Sequence, residues 1–191
     1  MNEYRAAPRV EAAGRILDAA LEELVSQGAD SLAMHAVAER AGVSKGLIHY
    51  HFHDRNALLA DIAPRLALRI AARAREALAA STTTTAIADL ERWLEQELEL
   101  GEWRGLLALA EWPAADVQHA AAAALASRRE EVRRVLERLF ALLEIRTRIS
   151  LAPLTDLAVA VVNGLAAERS SGRDASPALD ALVMAFYRLS D

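Results

Sequence analysis

Apolar residues recur along this chain at three- and four-residue spacing, and no stretch carries a convincing two-residue alternation. Ala13, Ile16, Leu17, Ala20, Leu21, Leu24 and Val25 share one face of a first helix, and Gly28 follows where a helix end favours a residue free to take positive φ. A short second helix is predicted from about Ala33 to Arg40, with Val37, Ala38 and Ala41 inward. Ala41-Gly42-Val43 breaks the pattern, and Ser44 is placed to cap a third short helix ending near Tyr50. Two short helices about a tight glycine turn have the helix-turn-helix shape.

Asp54 is placed to cap a long fourth helix reaching about Ala80, in which Pro64 should introduce a kink or divide the helix in two. Ser81 to Thr85 reads as a surface linker. Beyond it the pattern predicts a fifth helix from about Ala86 to Leu100, stopped at Gly101, and a sixth from Glu102 to Trp112, stopped by Pro113. A long seventh follows from Asp116 to Ile145, striped by Val132, Val135, Leu136, Leu139, Phe140 and Leu143. An eighth spans about Leu154 to Ser170, and a ninth runs from Pro177 to Leu189 with Ser176 as its cap. The expectation is an all-α protein of about nine helices, with an N-terminal three-helix domain over residues 1–56 and a helical body over 57–191.

Composition agrees with this, since 53% of the residues are hydrophobic but only 5% aromatic, and Ala and Leu carry much of the apolar share. Cysteine is absent, which excludes disulfides, thiolate metal sites and thiol redox chemistry. The N-terminal residues lack the apolar run of an export signal. The longest apolar run, Leu157 to Val162 continued to Ala167, reads as too short and too rich in alanine to span a bilayer, so a soluble cytoplasmic protein without a membrane partner is expected. A net charge of −5 argues against a nucleic-acid partner, and residues 1–65 hold seven Arg/Lys against nine Asp/Glu. Any such partner has to be met by the placement of a few cations. Lys45, the only lysine, lies at the start of the third helix.

The run from Val37 to Leu59, containing Ala41-Gly42-Val43-Ser44-Lys45-Gly46-Leu47-Ile48-His49-Tyr50-His51-Phe52, resembles the DNA-binding signature of the TetR family of bacterial regulators over roughly residues 10 to 60. The resemblance implies that the third helix enters a major groove while its end and the start of the fourth helix grip the backbone. Those roles fall on Ser44, Lys45, Gly46, Leu47, Tyr50, His51 and Arg55, with His49 on the same segment. Phe52 is expected to plug the core. The chain departs from the family pattern at Ala33, where a Ser or Thr cap is usual and where Asp30 or Ser31 is left as substitute. It departs again at Leu47, which offers an apolar surface suited to a thymine methyl in place of a hydroxyl, and at His49.

The resemblance also implies a two-fold homodimer on a near-palindromic double-stranded operator, and a small apolar effector bound in the body. Trp93, Trp103 and Trp112 are all the tryptophans of the chain, and together with Leu107, His119 and Phe140 they are the candidates for lining that pocket. The eighth helix is apolar nearly all round, so it needs a second partner beyond its own core. Leu157, Val161, Gly164 and Leu165, with Leu179, Leu182, Val183 and Phe186 of the ninth, are the candidate dimer interface. His49 and His53 stand at the i, i+4 spacing of helical metal ligands with His35 nearby, but Asp54 is wanted as a cap, so no metal and no cofactor are expected. The sequence offers no nucleophile–base pair or phosphate loop to support an enzyme. The reading is a DNA-binding regulator, more often a repressor in this family, that its effector releases. A helix-turn-helix used for protein contact or unregulated DNA architecture is the alternative.

Overall fold

The computed structural model describes residues 7–146, 149–173 and 176–187, apart from the side chains of 7–10, 170, 176, 183 and 186–187. Its elements are α1 (Ala7–Gln27), α2 (Met34–Ala41), α3 (Lys45–His51), α4 (Arg55–Ala79), α5 (Ala86–Leu100), α6 (Glu102–Ala110), α7 (Ala115–Leu142), α8 (Leu151–Ser170) and α9 (Ser176–Tyr187). No strand occurs among the described residues. The fold is all-α, as the helical periodicity predicts.

The helix ends follow local chemistry. Gly28, Gly42 and Gly101 each take positive φ after α1, α2 and α5, where a side chain would be strained. Ala33 precedes α2 without a side-chain cap, so neither Asp30 nor Ser31 replaces the missing hydroxyl. Ser44 caps α3 by accepting from the Leu47 amide at 3.2 Å, and the Asp54 carboxylate caps α4 by accepting from the Ala57 amide at 2.9 Å.

Four expected boundaries need correction. α4 is one helix through Pro64 and not two, the exposed position of Pro64 letting water meet the carbonyl it leaves without a donor. α6 stops at Ala110, two residues before Trp112, and α7 stops at Leu142, where Glu144 turns the chain with φ 56°. α8 begins at Leu151 because Pro153 sits in its first turn, where the missing amide costs no helical hydrogen bond. That extension makes α8 long and apolar enough to cross a membrane by length and composition, contrary to the expectation from its shorter apolar run. Leu154, Ala158, Val162, Leu165 and Ala166 of α8 are nonetheless buried within the protein.

The chain divides into two compact units. The first comprises the described residues up to Leu66 with Gly105–Ala124. Its core holds Ile16, Leu21, Leu24, Val37, Ile48, Phe52, Leu58, Leu59 and Ile62. Arg40 of α2 reaches back to Glu23 of α1 at 2.7 Å and to Glu22 at 3.2 Å, and Arg65 of α4 meets Asp18 of α1 at 2.7 Å. α6 lies against α1 at Gly105, where an added Cβ would sit 3.4 Å from the Leu24 side chain.

The second unit comprises Ala67–Arg104 and the described residues from Leu125 onward. In it α9 packs on α5 and α8, and α8 packs on α5. A buried ion network ties α4 to α5 and α6. Arg73 bonds the fully buried Glu97 through Nε and, at 2.9 Å, through Nη2. It also donates to Glu102 at 2.5 Å, and Arg69 donates to the other Glu102 oxygen at 3.0 Å. The hydrogen bond to Glu97 is the first reason that the Arg73 guanidinium is held above its usual pKa.

Candidate nucleic-acid interface and effector pocket

The head's third helix is amphipathic over two turns. Ile48 is 1% exposed and Phe52 4%, so these two seat α3 on its domain. Burying each such side chain contributes about 1.5–3 kcal/mol. Ser44, Lys45, Gly46, His49 and Tyr50 face solvent, Tyr50 with 56% of its surface open. Leu47 and His51 are half-buried, and the His51 ring lies edge-on to Tyr50 with centroids 5.2 Å apart. A Cβ built on Gly46 would meet only the Ser44 hydroxyl, at 3.9 Å. The chain's own packing therefore places no demand for glycine there, and the open space lies on the outward face beside Lys45.

Arg55 is placed differently from the other candidates on this segment. Its Nη2 donates to the Ala29 carbonyl and its guanidinium lies 4.8 Å from the centre of the Trp112 ring, while Trp112 donates to Asn56 at 3.0 Å. The structure thus engages Arg55 in fixing the start of α4. His35, Lys45 and His49 border a shallow polar hollow with Met34 and Ile48. Among the described residues no group of three or more His, Asp or Glu side chains stands within ligating reach of one ion.

The body contains an apolar pocket of about 680 Å³, counted to its open mouth. Trp93, Trp103 and Phe140 line it together, as do Leu94, Leu136 and Leu139. The other three residues expected there are elsewhere: Leu107, Trp112 and His119 belong to the first unit, the last of them exposed. Sequence reasoning grouped them by chain proximity, but α6 and α7 are each divided between the units. It also missed Arg128, which borders an adjoining space and is 3% exposed. Its signal was legible, since Arg128 falls in phase with Val132, Val135 and Leu139 on the apolar stripe of α7.

The candidate interface residues fall into three groups. Leu157 is 53% exposed, Gly164 is exposed and Val161 is half-buried, so these three share an outward apolar face of α8. Leu165 and Leu179 are buried within the protomer, and Leu182 lines the pocket; their apolar character is spent on the protein's own core. The side chains of Val183 and Phe186 lie outside the described residues.

A short outward helix, capped by Ser44 and anchored by Ile48 and Phe52 on an all-helical chain, defines a helix-turn-helix protein. The profile of "Bacterial regulatory proteins, tetR family" matches residues 16–62. The curated regulator BetI of Cronobacter sakazakii is 36% identical over 81 residues, covering 40% of this chain and 40% of its own length. SrpR of Pseudomonas putida is 40% identical over 50 residues, 26% of this chain and 24% of its own. The chain thus matches less than half the length of these curated relatives. A TetR-family transcriptional regulator from Rhodococcus sp. superposes with a TM-score of 0.74 at 26% identity, over 95% of this chain and 100% of that structure. Residues 16–62 thus carry the tetR-family domain, and the chain as a whole shares the fold of that Rhodococcus regulator.

Proposed function

We propose that the chain is a sequence-specific DNA-binding transcription regulator, working in the cytoplasm as a homodimer and released from its operator by a small effector. Residues 1–56 would read DNA, and 57–191 would bind the effector and the second subunit. The observation that carries this reading is the outward surface of α3, where Lys45, His49 and Tyr50 surround a glycine whose missing side chain no internal contact requires. An approaching duplex does require it. Lys45 neutralises phosphate, Leu47 and His49 reach base edges, and Ser44, Tyr50 and His51 position the helix.

A two-fold dimer through Leu157, Val161 and Gly164 of α8 would place two such helices roughly 34–36 Å apart, facing successive major grooves of a near-palindromic site. Release follows if the effector moves α4, a single helix from Arg55 to Ala79 that begins beside α3 in sequence, so that both half-sites are no longer gripped together. Pro64 weakens that helix by one hydrogen bond and is the point at which it would bend.

The test is a titration of the purified protein against the duplex flanking its own gene, with random duplex as competitor, at two salt concentrations. Preference for one palindrome with affinity falling as salt rises supports the reading. Equal affinity for every duplex, or none for any, rejects it.

A further inference from the structure

The lining of the body pocket ends at a charge that no carboxylate among the described residues neutralises. Arg128 is buried on α7 with its guanidinium carbon 3.9 Å from the centre of the Trp103 ring. Its Nη2 donates to the Asn163 side-chain oxygen at 2.6 Å, but Nε and Nη1 have no partner. Among the described residues no carboxylate pairs with it. The one acidic side chain bordering the same space, Glu131, is taken up by Arg134 at 3.1 Å and Arg75 at 3.5 Å. Every other lining residue from α4 and α7 is apolar, and the remaining two are Trp93 and Trp103.

Both of these tryptophans also present a buried indole N–H without an acceptor, and their rings lie 6.4 Å apart. Three residues bordering one space therefore carry idle donors: a guanidinium with two idle nitrogens and two idle indoles. Buried donors of this kind call for an acceptor that the described residues do not supply. The narrow space beside Arg128 shares Trp93, Trp103, Val132 and Val135 with the wholly apolar pocket.

We infer that this pocket binds an amphipathic anion, with a compact acidic head such as a carboxylate on Arg128 and the indole N–H groups, and an unbranched apolar tail lying along Leu136, Leu139 and Phe140. The inference deepens the effector proposal, and rests on it only for what binding does to DNA affinity. A cationic head is disfavoured by Arg128, and a neutral chain leaves the guanidinium unmet. Trp93 and Trp103 hold the head by their N–H groups and report its arrival by their fluorescence.

The experiment compares decanoate, decanol and decyltrimethylammonium, all below their micellar concentrations, by calorimetry and tryptophan quenching with no DNA present. Wild-type protein is expected to prefer decanoate over both others by roughly ten- to a hundredfold, the worth of a charge-assisted hydrogen bond. Arg128→Met should lose that preference while keeping its decanol affinity, and Trp103→Phe, which retains a ring under the guanidinium, should lose part of it. Equal binding of decanol and decanoate, or a decanoate preference that survives in Arg128→Met, overturns the inference. Decanoate binding that depends on Arg128 but leaves duplex affinity unchanged upholds the site and rejects only the effector-release proposal.

Discussion

Arg73→Met is the substitution whose cost the structure sets most clearly. Arg73 is the partner of Glu97, whose carboxylate is wholly buried, whereas Glu102 also has Arg69. Removing the guanidinium therefore strands one buried charge and weakens a second. Breaking a buried pair from one side costs about 3–5 kcal/mol, because the remaining ion keeps its desolvation and loses its compensation. For a chain of this size each kcal/mol lowers the melting temperature by about 2–4 °C, so a drop of roughly 6–20 °C is expected. Arg73→Met with Glu97→Met together removes the stranded charge, and the double variant should regain all but about 1–2 kcal/mol. Thermal unfolding followed by circular dichroism, at one fixed protomer concentration, measures both and yields the coupling between them. The reasoning fails if Arg73→Met lies within about 1 kcal/mol of the wild type, or if the double variant is no more stable than the single one.

Gly46→Ala should leave the fold intact or up to about 1 kcal/mol more stable, since the new methyl meets open space and helix propensity rises; the same variant should bind operator at least tenfold more weakly by fluorescence anisotropy. Leu157→Glu should hold protomer stability within about 0.5 kcal/mol, because the residue is exposed in the single chain, yet yield monomers in sedimentation velocity at micromolar concentration. Arg128→Met should stabilise the free protein by about 1–3 kcal/mol at pH 7, the scale of its unmade contacts. Burial lowers the Arg128 guanidinium to about 9, so above that pH the unfolded chain binds a proton the folded chain has released. Wild-type stability then rises with pH relative to Arg128→Met, and urea midpoints of the two proteins between pH 8 and 10 should converge.

The head was legible because its function and its fold use the same residues. Ser44 had to be a cap, Gly42 a left-handed turn and Ile48 or Phe52 a core anchor, and each of those demands is local. The body was legible only as helices. Trp93, Trp103 and Phe140 were found together because each is large, apolar and in phase with a stripe, but Trp112 satisfied the same criteria and instead donates to Asn56 in the other unit. No periodicity states that α6 and α7 change units partway along. The engagement of Arg55 was equally hidden, since its acceptor Ala29 is 26 residues away and is a backbone carbonyl.

Two arginines of the body make the point about what such hidden partnerships decide. Arg73 and Arg128 both project from helices, and each finds its hydrogen-bonding partners on other helices, 24 to 35 residues away. Arg73 meets two carboxylates, which raise its pKa and hold three helices together. Arg128 meets an amide and a ring, which leave its charge uncompensated and its pKa lowered by burial. A scaffold residue is expected to lower the free energy of the empty protein, and Arg73 does so. Arg128, with two nitrogens unmet, is expected to raise it. The different partners of these two guanidinium groups therefore set a residue that holds helices together apart from the one proposed to meet an anion.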